Sequence, residues 1–148
     1  MAKLWKRTPY GIGKYAGGNP VKGEGADCSG ATWKIYEEAG FSYGSYQSTA
    51  TFRTLVGADN EKEMKGKYFK QVTTPQVGDI GWWDGHMVIY DPALAKDDEL
   101  RNFQQPAGTY SVWSASSPGS TRKFGPALSH WYHNGVAPVW YRYYKVSL

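Results

Sequence analysis

The segment around the Asp84-Gly85 pair has the pattern of two short apolar strands joined by a tight turn. Asp-Gly is typical of two-residue β-hairpin loops, because glycine adopts positive φ angles at little cost. His86 follows the turn directly and opens the second strand. The sequence therefore predicts a hairpin with strands at 79–83 and 86–90 and with a histidine where the second strand starts.

A second segment has the pattern of a helix that starts at the only cysteine of the chain. Apolar residues recur at positions i, i+4 and i+8, which share one helix face: Ala31, Ile35 and Ala39. Asp27 suits the N-cap, because its carboxylate can accept a backbone N–H of the first turn, and Gly40 suits the end of the helix. We therefore predict a helix over 28–39 that begins within a residue or two of Cys28.

Cys28 and His86 have the chemistry of a nucleophile and its base. The thiolate is the attacking form of cysteine, and the N–H groups and dipole at a helix start stabilise negative charge. Histidine can take and return a proton near neutral pH. We favour His86 because a strand would hold it towards a helix end packed on the sheet. His130 and His133 lie in an aromatic, turn-rich segment with weaker periodicity.

Each of these two residues also has a purely structural interpretation. A free cysteine is most often a small buried hydrophobic residue, and a histidine at a strand start is commonly a hydrogen-bonded rim residue. Taken separately, the structural interpretations are favoured. Taken together, the Asp-Cys-Ser-Gly helix start and the Gly-His-aliphatic strand place both polar residues where a papain-like site requires them.

The order of the motifs resembles that of the NlpC-type papain-like peptidases, which cut bacterial cell-wall peptides. The motifs are Asp-Cys-Ser-Gly at 27–30, Gly-Asp-Ile at 78–80, His-Met-Val-Ile-Tyr at 86–90 and, upstream, Tyr-Ala-Gly-Gly at 15–18. Only the cysteine and histidine motifs are specific, although the resemblance covers most of the chain. It implies an α+β papain-like fold in which the helix carrying the nucleophile packs on an antiparallel β-sheet.

Within that superfamily, the chain most resembles the type VI secretion amidase effectors, toxins that one bacterium injects into another. The compact length and the segments 110–116 and 142–148 support this resemblance. It implies cleavage of a peptidoglycan stem peptide, first of all at the amide between D-glutamate and the diamino acid. Crosslink cleavage, sugar–peptide amide cleavage in phage lysis or wall recycling, acyl transfer in lipid metabolism, and a non-catalytic wall-binding domain are the alternatives.

The third catalytic position is implied to be Ser114. Many NlpC-type enzymes place His, Asn or Gln on the strand after the base, where it orients the imidazole. The Ser114 hydroxyl can reach His86 if the two strands are adjacent. Because serine orients a histidine less firmly, a backbone carbonyl, Asn134 or an acidic group is the alternative. Asp84 and Asp91 flank the strand of His86, and for them we favour turn and strand-end roles.

The implied substrate-binding residues are Tyr15, Asp27 and Ser29. Tyr15 would donate a phenolic O–H to the oxyanion beside the backbone N–H of Cys28, or would simply pack against the helix. Asp27 also has two interpretations, of which the helix cap ranks before a contact with a substrate amine.

The composition is ordinary for a soluble single-domain protein. With 148 residues, 41% of them hydrophobic and 20% charged, it suits one domain over 1–148. The net charge of +4 favours anionic surfaces, and the bacterial wall is one of these. Because the basic residues are scattered without a run of five, we expect no nucleic-acid partner. One cysteine forms no internal disulfide, and no Cys/His cluster has zinc spacing, so we expect no cofactor and no metal.

The N-terminal residues also suggest where such a protein would work. Residues 1–7 include basic side chains but no apolar stretch follows, and no window has the length of a membrane span. We therefore expect synthesis in the cytoplasm without a Sec signal, and then secretion or injection into the target periplasm. We also expect a monomer, and the resemblance to toxins implies a cognate immunity protein that covers the groove.

The remaining elements follow from shorter patterns. A second short helix is predicted at 46–56, with Phe52 and Leu55 as its apolar residues. Further strands are predicted at 68–73, 110–115 and 139–146. The charged stretch 59–67 is predicted as a solvated loop or short helix, the long segment 92–108 as a lid or partner-binding surface, and 118–120 with Pro126 as a loop.

Overall fold

In the part of the chain that the structure describes, one α-helix packs against a face of a seven-stranded sheet. The computed structural model describes residues 6, 8–10, 14–15, 17–57, 67–96, 110–114, 125–129 and 136–144. The helix α1 spans Cys28–Glu38. The strands are β1 (Val56–Gly57), β2 (Phe69–Val72), β3 (Ile80–Trp83), β4 (His86–Tyr90), β5 (Tyr110–Ser114), β6 (Gly125–Ser129) and β7 (Val139–Tyr143). Two short 3₁₀ helices span Phe52–Leu55 and Pro92–Lys96.

The strands lie in the order β1-β2-β7-β3-β4-β5-β6. The predicted α+β class, with a helix on a sheet, is confirmed. The prediction of an antiparallel sheet holds for every pair except β1 with β2, which run parallel. A parallel pair needs a crossover rather than a hairpin turn, and the connection 58–68 is near the length that this requires.

The hairpin predicted around Asp84-Gly85 is confirmed. Trp83 pairs with His86 across a two-residue turn, in which Gly85 has a φ of 98°. On β3, Gly81 is required for another reason, because a Cβ there would lie 2.8 Å from atoms of Trp140 and Val88.

The start of α1 is capped as predicted. Asp27 has extended backbone angles, and its carboxylate Oδ1 accepts the Gly30 N–H at 2.7 Å. Its other oxygen, Oδ2, accepts the Gly17 N–H at 2.6 Å. The same carboxylate therefore caps the helix and ties the glycine-rich segment before it to the helix start.

The end of α1 is a Schellman motif. The Phe41 N–H donates to the Tyr36 carbonyl at 2.8 Å, and the Gly40 N–H donates to the Glu37 carbonyl at 3.1 Å. Gly40 has a φ of 90°, which a residue with a side chain rarely adopts. The predicted stop at Gly40 is therefore confirmed.

Two clusters of buried apolar side chains lie on opposite faces of the sheet. The helix-side cluster includes Met87 and Ile89 of β4, while Val88 between them belongs to the other cluster with Trp83 and Trp140. This is the two-residue alternation of a strand that is buried on both faces. It fixes which way each side chain of β4 points.

An ion pair joins the start of β3 to β7. Asp79 is only 3% exposed, and its carboxylate accepts from Arg142 through Nε at 3.1 Å and Nη2 at 2.9 Å. Asp79 Oδ2 also accepts the Gln76 N–H at 2.7 Å. This pairing satisfies a buried carboxylate that would otherwise cost several kcal/mol.

The structure corrects three of the predicted elements. The helix expected at 46–56 is a short 3₁₀ helix followed by β1, because the side chains of Ser48 and Thr51 bond to each other's backbone and Val56 pairs with Phe69. Pro126 lies in β6 rather than in a loop, and β6 is an edge strand, where proline is tolerated. The strand expected at 139–146 ends at Tyr143.

Parts of other predicted segments lie outside the described residues. The positions concerned are 59–66, 97–108, 115 and 118–120. Within the described ranges, no helix combines the length and the apolar character that crossing a bilayer requires.

Candidate functional site

Cys28 is the first residue of α1 and only 5% of its surface is exposed. Burial raises the pKa of the thiol, and the nearby Asp27 charge raises it further. The backbone N–H groups of Met87 and Ser29 and the hydroxyl of Tyr10 oppose this effect, because they hydrogen-bond to the sulfur and lower its pKa. The resting thiol is therefore neutral, and the donors that stabilise a thiolate are already in place around it.

The imidazole of His86 is held by side chains of two neighbouring strands. His86 Nε2 lies 3.2 Å from Ser114 Oγ, and both residues are buried. The ring of Trp83 stands beside the imidazole with 5.7 Å between centroids and a tilt of 32°. If the β4–β5 register is continued, Ser114 stands opposite Val88 and diagonal to His86, which places both side chains on one face. The predicted meeting of Ser114 and His86 is thus present.

The thiol and the imidazole come to the same end of β4 from two sides of the sheet. Cys28 belongs to the helix-side cluster together with Met87, whereas His86 shares its face with Val88. The thiol nevertheless reaches the strand itself, because it accepts the N–H of Met87, the residue next to His86. Since His86 is the first residue of β4, both side chains lie at the same end of that strand, on opposite faces of the sheet.

A chain of hydroxyl groups runs from Asp27 along the side of the site. Ser29 Oγ donates to Asp27 Oδ1 at 3.2 Å and lies 2.7 Å from the Tyr46 hydroxyl. Because the Ser29 proton is directed at the carboxylate, the Tyr46 hydroxyl is the donor of the second bond. The Tyr46 oxygen then presents lone pairs rather than a proton to its surroundings.

Tyr46 also lies close to the Cys28 thiol. Its ring packs against the backbone of Gly17 and Gly18, where an added Cβ would be 3.6–3.8 Å from the ring atoms. Burial raises the pKa of Tyr46, and the charges of Asp27 and a Cys28 thiolate raise it further, while the Ser29 bond lowers it. The Tyr46 hydroxyl therefore lies near Cys28 and Asp27 at the start of α1.

Tyr10 and Tyr15 occupy different places. The ring of Tyr15 packs against Gly25, so closely that a Cβ on Gly25 would lie 2.5 Å from Cδ2 of the ring. The Tyr10 hydroxyl is the phenolic group that bonds to the Cys28 thiol. The role expected of Tyr15 at the oxyanion stays a prediction.

Other residues were candidates for the base or for the group that orients His86. Asp84 is exposed in the hairpin turn, and Asp91 accepts the Ala93 N–H at 3.0 Å, so both have the turn and strand-end roles that were favoured. His130, His133 and Asn134 lie outside the described residues.

Sequence reasoning missed three groups at this site. Tyr10 and Tyr46 had no motif around them, and only the folded chain brings them to the helix start. The role of the Met87 N–H as a donor to the thiol could have been predicted. In an antiparallel hairpin, the N–H of the residue directly after His86 points away from the partner strand β3.

The arrangement places a buried thiol with N–H donors and a hydrogen-bonded imidazole at the start of β4. Within the described part of the chain, no group of three or more His, Cys, Asp or Glu side chains is placed to hold a metal ion. Comparison of the chain with protein-family models, with curated proteins and with solved structures found no match.

Proposed function

We propose that the protein is a papain-like cysteine hydrolase that cleaves an amide bond of peptidoglycan stem peptides. One observation carries the proposal, the hydrogen bond between His86 Nε2 and Ser114 Oγ. His86 is followed in β4 by Met87, whose backbone N–H bonds to the Cys28 thiol. A histidine with one ring nitrogen already held, at the strand end that a helix-start cysteine also reaches, supports thiol-based acyl transfer.

In the proposed mechanism each atom has a task. With Nε2 held by Ser114, the other nitrogen, Nδ1, accepts the Cys28 proton, and the thiolate attacks the scissile carbonyl carbon. The resulting oxyanion is stabilised by the backbone N–H of Cys28 at the helix start. Nδ1 then gives its proton to the leaving amine as the C–N bond breaks, and water hydrolyses the thioester and regenerates the thiol.

The raised pKa of Cys28 bears on this mechanism. A thiol that is neutral at rest does not attack by itself, so proton transfer to His86 accompanies the approach of substrate. Substrate also adds the oxyanion, which the helix start stabilises. We infer that thiolate formation is coupled to binding.

The substrate class rests on the motif resemblance. The bond between D-glutamate and the diamino acid is our first choice, and the crosslink is the second. An antibacterial role after injection, in the periplasm of a target cell, belongs to the same proposal, as does an immunity protein in the producing cell.

Mass spectrometry of digested peptidoglycan tests the proposal. Purified sacculi are incubated with the protein, with Cys28→Ala and with His86→Gln, after circular dichroism has shown that all three are folded. We expect new amine and carboxyl ends only with the parent protein, and their masses identify the bond. Identical digests from the parent and Cys28→Ala contradict the proposal and favour a wall-binding domain or another amide substrate.

A further inference from the structure

A cavity of about 340 Å³ lies at the opposite end of α1 from Cys28. Its walls come from the last turns of the helix, the turn before β3, the end of β4 and the end of β7. Since α1 has 11 residues, its two ends are about 16 Å apart. The cavity is therefore separate from the thiol site.

The walls of this cavity are mostly aromatic and aliphatic. Tyr143 contacts both Phe41 and Tyr36, with ring centroids 5.5 Å and 6.1 Å apart, and Trp113 lines the cavity as well. Two apolar residues at its rim are unusually exposed, Phe41 at 41% and Val77 at 69%. Scattered exposed apolar side chains are ordinary, but two beside one concave pocket indicate a binding site.

The polar groups of the cavity give it a negative character. Asp79 and Arg142 neutralise each other. Asp91 uses Oδ1 to accept the Ala93 N–H, and among the described residues none donates a hydrogen bond to its Oδ2. The C-terminal end of α1, which carries the negative end of the helix dipole, also forms part of the wall. This wall is negative although the chain as a whole carries a charge of +4.

We propose that this cavity binds an alkylammonium group, a positive charge on a short apolar stem. Aromatic faces attract such cations, the apolar walls cover the stem, and the Asp91 carboxylate pairs with the charge. An anion is disfavoured, because Asp79 already occupies Arg142. The group can belong to a free amine or to a lysine-type side chain of a peptide.

Isothermal titration calorimetry with three probes of one shape tests the charge. The probes are pentylamine, pentanol and pentanoate. We expect pentylamine to bind about tenfold more tightly than pentanol, and pentanoate not to bind at all. N-acetyl-lysine methylamide is titrated in parallel. Tighter binding of this derivative than of pentylamine assigns the site to a peptide side chain, and weaker binding assigns it to a free amine.

Two variants locate the binding. Asp91→Asn keeps the acceptor for Ala93 but removes the charge, so we expect pentylamine to bind about five- to tenfold more weakly. Asp84→Asn, which changes an exposed aspartate in the hairpin turn, leaves binding unchanged. Equal binding of pentylamine and pentanol, equal effects of the two variants, or no binding of pentylamine overturns the proposal. Cys28→Ala should bind pentylamine like the parent, so this result is independent of the proposed hydrolase activity.

Discussion

Burial and hydrogen bonding act in opposite directions on the pKa of the Cys28 thiol. Burial raises its pKa, while three donors, one of them the Tyr10 hydroxyl, lower it. A group whose pKa is higher in the folded state than in the unfolded state stabilises the fold below its unfolded pKa. That contribution is lost as the pH rises towards the folded pKa. Cys28 should therefore favour the fold at neutral pH and weaken it in alkaline solution.

Alkylation of Cys28 with iodoacetamide tests the role of Tyr10. The raised pKa predicts labelling that is slow at pH 7 and accelerates at alkaline pH. Tyr10→Phe removes one donor to the sulfur, so the pH–rate curve of this variant should move to higher pH by about 0.7 units. That shift corresponds to the loss of a hydrogen bond of roughly 1 kcal/mol. Tyr15→Phe is the matched control and should not shift the curve. A shift with Tyr15→Phe alone would show that Tyr15 is the donor.

Ser114 is expected to position the imidazole rather than to react. Ser114→Ala removes one hydrogen bond to His86, so we expect kcat on the cleaved muropeptide to fall about five- to tenfold with little change in KM. The pH profile of kcat should shift as well, which a purely structural role would not cause. Ser45→Ala, at an exposed serine, is the control, and equal kinetics for the two variants would remove Ser114 from the site.

Among the secondary-structure elements, α1 matters most because it carries Cys28 at one end and lines a cavity at the other. Both of its ends were predictable from the sequence, since Asp27 and Gly40 are the residue types that cap helices. The hairpin of β3 and β4 was predictable for a similar reason, because its turn needs glycine at a positive φ. The edge strands β1 and β6 were not predictable, since β1 has only two residues and β6 contains Pro126, a residue type that argues against a strand.

Asp27 should stabilise the fold through this helix start. Asp27→Ala removes acceptors for the N–H groups of Gly30 and Gly17, so we expect a loss of about 2 kcal/mol in the free energy of unfolding. Urea denaturation measures it, with Asp84→Ala as the exposed control. If Asp27→Ala is as stable as the control, the carboxylate has no capping role in solution.

At the scale of the whole molecule, long-range contacts were the least predictable part. The meeting of His86 with Ser114 followed from strand alternation once adjacency was assumed. The contacts of Tyr10 with the thiol and of Tyr46 with Ser29 depend on how separate segments pack, and no local pattern encodes them. The pairing of Asp79 with Arg142, 63 positions apart, is of the same kind.

The Asp79–Arg142 pair should contribute to the stability of the sheet. Arg142→Met leaves a buried carboxylate without its partner, so we expect the free energy of unfolding to fall by about 2 kcal/mol, less than for a fully buried pair because Arg142 is partly exposed. The double variant Asp79→Asn with Arg142→Met should recover part of this loss. Additive losses in a thermal or urea melt would show that the two side chains are not coupled.

The position of β7 has a consequence for how the chain is made. In the strand order, β7 lies between β2 and β3, so the two halves of the sheet are joined through the described strand that is synthesised last. A ribosome that has produced only β1 to β6 carries two separate sets of strands with unpaired inner edges. The sheet is therefore incomplete on the nascent chain until β7 has been synthesised.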